Sequence, residues 1–126
     1  MSVLVDTSVW IDHFRNGNAA LVDLIGLDLV LTHPMVILEI ACGTPPAPRM
    51  QTLNNMGLLQ LCNQARLVEV MAFIAHEKLY GLGCGLVDMV LLASTRITPG
   101  TELWTLDKRL AALAERFAVA HQPTLH

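Results

Sequence analysis

The sequence has few cysteines, and none is arranged for a disulfide framework or a zinc site. Cys42, Cys62 and Cys84 are widely spaced, and neither a CxxC pair nor closely spaced histidines accompany them. Disulfide scaffolds and structural zinc sites need such paired ligands. We therefore expect a reduced, cytoplasmic protein.

Long hydrophobic runs are also missing. The apolar stretch that begins at Leu27 is broken by Asp28, and Asp6 interrupts the apolar N-terminal segment. A membrane-spanning helix needs about 20 consecutive apolar residues, and a signal peptide needs an unbroken apolar core. The sequence therefore predicts no association with a membrane.

Basic residues are scarce: 8 Lys and Arg stand against 11 Asp and Glu, for a formal net charge of −3. Lys108 and Arg109 are the only adjacent basic pair. Since nucleic-acid-binding proteins usually carry a basic patch, the overall charge gives no sign of such a partner. The length of 126 residues suits one domain with its own core, and we predict a single domain over residues 1–126.

What the sequence does contain is an alternation of short apolar segments with helical patterns. The run Val3-Leu4-Val5 predicts a buried strand of a parallel sheet. The other predicted strands are 28–32, 66–70 at an edge, 102–105 and a short last strand at 119–122. The predicted helices begin near Val9 and cover 19–27, 35–42, 71–80, 86–96 and the segment after Asp107, with an amphipathic stretch at 49–62. This alternation predicts an α/β fold, with three α/β/α layers and a mostly parallel central sheet.

Four acidic residues stand in apolar surroundings that do not suit a solvated charge: Asp6, Glu39, Asp88 and Asp107. An uncompensated buried carboxylate costs several kcal/mol or more, so each must be neutral, paired or coordinated. For any one of them, a helix cap or an ion pair is the simpler interpretation. For all four together, nearby basic partners are too few.

The predicted fold offers a common place for these acids. Asp6 and Asp107 follow strands, and the carboxyl ends of parallel strands share one edge of the sheet, where ligands of α/β proteins bind. Helices that return over this edge can bring in Glu39 and Asp88, while Thr7 or Ser8 is expected to cap the first helix. Carboxylates without Cys or His select a hard cation such as Mg²⁺ or Mn²⁺.

Four segments also carry a family resemblance, in the same order and at suitable spacings. They are VDTSVWID at 5–12, MVILEIA around Glu39, LVDMVLLAS at 86–94 and LWTLDKRL at 103–110. Together they resemble the PIN-domain nucleases, and more narrowly the VapC-type toxins of bacterial toxin–antitoxin modules. The glycine-rich segment 81–85, just before Asp88, departs from the family pattern.

The resemblance implies a PIN-like fold and a Mg²⁺- or Mn²⁺-dependent endoribonuclease with RNA as its substrate. Asp6, Glu39, Asp88 and Asp107 match the acidic catalytic and metal-binding positions, and Thr7 and Thr105 match hydroxyl positions that support them. It also implies a homodimer and a cognate antitoxin that covers the acidic site. Within such a site, Arg15, Lys108 and Arg109 are our candidates for contacts with RNA phosphates.

Composition independently favours protein partners, because 53% of the residues are hydrophobic even without glycine. A typical soluble domain has about 45–50% with glycine included, so part of this excess must face outward. We expect the exposed apolar surface on three segments, 35–42, 53–61 and 71–79.

Other functions remain open at this point. A receiver-like phosphoacceptor domain would need an aspartate after its third strand, and an aspartyl phosphatase would need Asp where Ser8 stands. A nuclease that cuts DNA would use the same acids. A non-catalytic binding protein with this fold would not need all four.

Overall fold

The computed structural model describes residues 1–123; residues 124–126, the end of the predicted domain, lie outside the described part. The described chain contains four strands and seven helices, with two helices after each of the first three strands and one after the last. In chain order they are β1 (Ser2–Val5), α1 (Thr7–Asn16), α2 (Ala19–Gly26), β2 (Val30–Thr32), α3 (Pro34–Cys42), α4 (Arg49–Met56), β3 (Gln60–Leu61), α5 (Leu67–Glu77), α6 (Leu86–Arg96), β4 (Thr101–Trp104) and α7 (Lys108–Arg116).

The four strands form one parallel sheet in the order β3-β2-β1-β4. β1 pairs with β2 on one side and with β4 on the other, with Val5 opposite Trp104. The backbone N–H of Asp6 continues this pairing by donating to Trp104 O at 2.9 Å. The carboxyl ends of β1 and β4 are therefore neighbours at the point where the strand order reverses, which is where α/β folds bind ligands.

The helices form two groups, α1 with α3 and α4, and α6 with α5 and α7. Together with the all-parallel sheet, they confirm the predicted three-layer α/β/α fold. Residues Val3, Leu4 and Val5 are fully buried, as expected for a strand covered on both faces. Trp10 and Trp104 also lie in the core.

The predicted edge strand at 66–70 is wrong, because these residues begin α5. Glu69 accepts hydrogen bonds from Arg66 N and Arg66 Nε, which stabilises the first helical turn. The third strand is instead β3, at the end of the predicted amphipathic stretch, where Gln60 pairs with Leu31. A short apolar run does not by itself distinguish a strand from one turn of a helix.

Smaller differences occur at other element ends. Asp28 takes a left-handed conformation with φ of 57°, so β2 begins only at Val30. The predicted last strand is reduced to one parallel bridge between Ala120 and Leu103, beside β4. The helix after the 66–70 segment ends at Glu77 rather than 80, because Lys78 is left-handed.

Candidate functional site

Asp6 lies immediately after β1, and its side chain is held by hydroxyl groups rather than by the helix that follows. Ser8 Oγ and Thr105 Oγ1 each donate to Asp6 Oδ2 at 2.7 Å. Asp6 occupies the N-cap position of α1, so the predicted cap at Thr7 or Ser8 is wrong, yet its carboxylate makes no capping hydrogen bond. The Asp6 side chain is only 5% exposed. Because this buried carboxylate does not cap the helix, we infer that it is held in place for another role.

The hydroxyl groups of Ser8 and Thr105 connect the carboxyl ends of β1 and β4. Ser8 Oγ lies 3.3 Å from Thr105 Oγ1 and accepts from Leu106 N at 3.0 Å. Thr105 Oγ1 in turn accepts from Asp107 N at 3.1 Å. Thr105 thus lies where the sequence placed it, between Asp6 and Asp107. Ser8 was missed as a supporting residue, although its place two residues after Asp6 was a usable signal.

Glu39 reaches the same edge from α3. Thr7 Oγ1 donates to Glu39 Oε1 at 2.6 Å, which links α1 to α3. The Thr7 side chain is buried, whereas Glu39 is exposed. The buried hydroxyl therefore fixes one oxygen of a carboxylate that solvent can reach.

Asp88 and Asp107 each accept hydrogen bonds from the backbone at the start of a helix. Asp88 Oδ2 accepts from Gly85 N at 3.1 Å. Asp107 caps α7, with Oδ1 accepting from Arg109 N at 2.9 Å and Leu110 N at 3.1 Å. The helix-cap interpretation thus holds for Asp107, and this cap also fixes where its carboxylate lies.

The charges of the other three acids act on Asp88. Burial raises the pKa of Asp88, the Gly85 hydrogen bond opposes this, and the negative charges of Asp6, Asp107 and Glu39 raise the pKa further. In residues 1–123, none of the four acids takes part in a salt bridge. Four carboxylates with no basic partner repel one another, and a cation would relieve that repulsion.

The donor set suits a hard cation, but the side chains are not closed around one. Within residues 1–123, no three His, Cys, Asp or Glu side chains are placed to hold a metal ion as they stand. Each carboxylate instead accepts a hydrogen bond from its own donor. Four oxygen-donor acids fit Mg²⁺ or Mn²⁺ in their chemistry.

The three candidate phosphate-binding residues lie in different settings. Arg15 lines a cleft of about 370 Å³ next to Glu39, bounded by Ile11 and Phe14 of α1. Lys108 is exposed at the start of α7. Arg109 is exposed too, but its guanidinium donates to Gly83 O at 3.4 Å. Arg15 is therefore beside one acid, whereas Arg109 is engaged by the glycine-rich segment.

Replacing Asp88 by Asn should stabilise the metal-free protein at neutral pH. Since the folded form holds the Asp88 proton more tightly than the unfolded chain, the ionised carboxyl lowers stability as pH rises above its ordinary pKa of 3.8. An amide keeps the acceptor for Gly85 N and removes the repulsion. In EDTA, Asp88→Asn should melt above wild type at pH 7, and the difference should shrink as the pH falls toward 3.8. An equal or lower melting temperature at pH 7 contradicts this.

Comparison with known proteins decides the family. No protein-family model matches the sequence. The chain is 41% identical over 118 residues to Ribonuclease VapC32 of Mycobacterium tuberculosis strain H37Rv. The aligned region covers 94% of each chain. Ribonuclease VapC32 of strain CDC 1551 / Oshkosh matches with the same identity and coverage. The chain belongs to the VapC family of ribonucleases.

This membership agrees with the VapC-type resemblance of the four sequence segments and with the fold. The competing receiver-like interpretation also fails on the structure, because β3 is followed by Cys62 rather than by an aspartate. Within the described residues, no helix of this VapC-family chain has the length and apolar character that crossing a membrane requires.

Proposed function

We propose that this chain is a Mg²⁺- or Mn²⁺-dependent endoribonuclease and acts as a toxin in the cytoplasm. The observation that supports the proposal is that the charges of Asp6, Glu39 and Asp107 all act on Asp88, and that none of the four acids has a salt-bridge partner in residues 1–123. The relatives' name, Ribonuclease VapC32, supports RNA as the substrate class.

We expect the ion to be held by Asp6, Asp88 and Asp107. Glu39 would hold a second ion or orient water. A bound divalent ion supplies charge stabilisation at the scissile phosphate and a water of lowered pKa. The hydroxyls of Ser8 and Thr105 keep Asp6 Oδ2 in place, as supporting residues of metal sites do.

Substrate binding must overcome the negative charge of the cluster. Four carboxylates repel the RNA backbone, so the bound ion and nearby basic side chains have to provide the attraction. Arg15 is the best placed of these, because its cleft also contains Glu39. Lys108, exposed beside Asp107, is the second.

Toxicity in a bacterial host tests the role of the acids. Asp88→Asn and Asp107→Asn should each abolish growth inhibition on expression, because both remove a negatively charged ligand, while the amount of soluble protein is unchanged. Asp23→Asn, an exposed acid on α2, should remain as toxic as wild type. Growth inhibition that survives in both site variants would refute the assignment of these residues.

The apolar surface supports two protein partners, a second copy of the chain and a cognate antitoxin. Each segment expected to be exposed contains a large exposed apolar side chain: Leu38 is 63% exposed, Leu58 is 85% and Met71 is 71%. α5 adds Leu67 and Val68, at 65% and 68%. Met71 lies about one turn after both Leu67 and Val68 on α5, so it can form with each an apolar surface suited to a helix-to-helix contact.

Light scattering tests both partners. The isolated chain should have twice its monomer mass of 13.8 kDa, and co-expression with the small adjoining gene should give a larger complex that no longer cleaves RNA. Met71→Asp should yield a monomer, because it places a charge in the apolar contact. A wild-type monomer that gains neither partner nor inhibition would contradict this part of the proposal.

A further inference from the structure

Residues 80–84, part of the connection between α5 and α6, make few hydrogen bonds with the rest of the described chain. Within residues 1–123, the one hydrogen bond that reaches them runs from Arg109 Nη1 on α7 to Gly83 O at 3.4 Å. The half-buried side chain of Cys84 packs against the core. These residues overlap the glycine-rich segment 81–85, which leads into α6 and Asp88.

The Arg109 side chain packs on the bare Cα of Gly83. A Cβ atom at Gly83 would lie 2.5 Å from Arg109 Nη1, 2.9 Å from Cζ and 3.0 Å from Cδ. Gly83 also has a φ of +83°, which side chains other than glycine rarely adopt. The close approach of the guanidinium thus depends on a glycine at this position, for steric and for backbone reasons.

The segment connects this contact to the acidic cluster. Two residues after Gly83, Gly85 N donates to Asp88 Oδ2 at 3.1 Å. Burial and the charges of Asp88 and Asp107 raise the pKa of the Cys84 thiol, and the charge of Arg109 opposes this rise. The charges that act on the pKa of Asp88 are instead those of the other three acids. Arg109 therefore reaches Asp88 through the position of the backbone rather than as an ion-pair partner.

We propose that Arg109 is a positioning residue, which holds residues 80–84 by its contact with Gly83 so that Gly85 N–H fixes the Asp88 carboxylate. This rests on the proposed function insofar as Asp88 binds the ion. It replaces the sequence prediction that Arg109 contacts an RNA phosphate. The geometry assigns its guanidinium to the protein's own backbone.

The test compares Gly83→Ala, Arg109→Gln and the double variant with wild type, using the full chain. Amide hydrogen exchange at Gly85 is measured without metal, and the Mn²⁺ concentration that gives half of the maximal rise in melting temperature is measured separately. Both single variants should speed Gly85 exchange and raise that concentration about tenfold, as loss of a supporting contact does at metal sites. The double variant should add nothing, since both changes break one contact.

Gly81→Ala is the matched control. Gly81 lies in the same segment and has a φ of +71°, but a Cβ there would meet nothing within 4 Å. It therefore carries the same backbone strain without touching Arg109, and its Gly85 exchange and Mn²⁺ response should stay near wild type. If Gly81→Ala matches Gly83→Ala, strain explains the effect and the proposal fails.

Two further results separate the alternatives. If Arg109→Gln raises KM for RNA but leaves Gly85 exchange and the Mn²⁺ response unchanged, Arg109 is a phosphate contact and the proposal is overturned. If wild type cuts no RNA while the Gly83 and Arg109 variants change Gly85 exchange together, the nuclease proposal fails and this one stands.

Discussion

Replacing Asp6 by Asn should reduce RNA cleavage by on the order of a hundredfold or more, because loss of even a supporting residue at a metal site costs about 10–100-fold. Asp6 is the most buried of the four acids and receives two hydroxyl hydrogen bonds. The amide oxygen of asparagine can still accept both of them, but an amide binds a divalent cation poorly. The same change should remove much of the rise in melting temperature that Mn²⁺ causes in wild type.

The metal-free protein provides the control for this variant. Because Asp6→Asn removes one of four mutually repelling charges, its melting temperature in EDTA should equal or exceed that of wild type. Asp23→Asn, on the exposed surface of α2, should keep both cleavage and the Mn²⁺ response. If Asp6→Asn is markedly less stable than wild type in EDTA, Asp6 has a structural role and the site assignment is wrong.

The second large effect concerns the sheet that carries the site. Leu4 is fully buried in β1, which has strand neighbours on both sides. Leu4→Ala should lower the free energy of unfolding by about 2–5 kcal/mol, from the lost apolar burial and the cavity left behind. Since domains are stable by only about 5–15 kcal/mol, this is a large share of the total.

Urea denaturation measures this change, and Leu27→Ala is the matched control. Leu27 is 68% exposed, so its truncation should change the free energy of unfolding by no more than about 0.5 kcal/mol. Equal losses in the two variants would mean that β1 is not in the core, and that the strand ends do not fix the site.

The acids could be predicted from the sequence because strands have definite ends. Asp6 and Asp107 each follow an apolar strand, and parallel strands share their carboxyl edge. Glu39 and Asp88 were recognisable because each stands in an otherwise apolar helix. These signals are local in the chain, and the parallel pairing of β1 with β4 brings the strand ends that precede Asp6 and Asp107 to the same edge of the sheet.

The third strand, the role of Ser8 and the contact of Arg109 could not be predicted, because each depends on a contact between residues far apart in the chain. The 66–70 segment fits a strand equally well until Gln60–Leu61 is seen to occupy the sheet edge beside β2. The role of Ser8 depends on meeting Thr105, which lies 97 residues away in the chain. The contact between Gly83 and Arg109 likewise joins two segments that the sequence pattern treats as independent.

The measurement that tests the central claim most directly is cleavage of mixed RNA by the purified chain, with Mg²⁺ or Mn²⁺ and with EDTA, beside the same assay on DNA. We expect discrete RNA products with either ion, none in EDTA, and none from Asp6→Asn. Undiminished cleavage in EDTA, or cleavage of DNA with RNA left intact, would contradict a metal-dependent ribonuclease site at the carboxyl edge of this sheet.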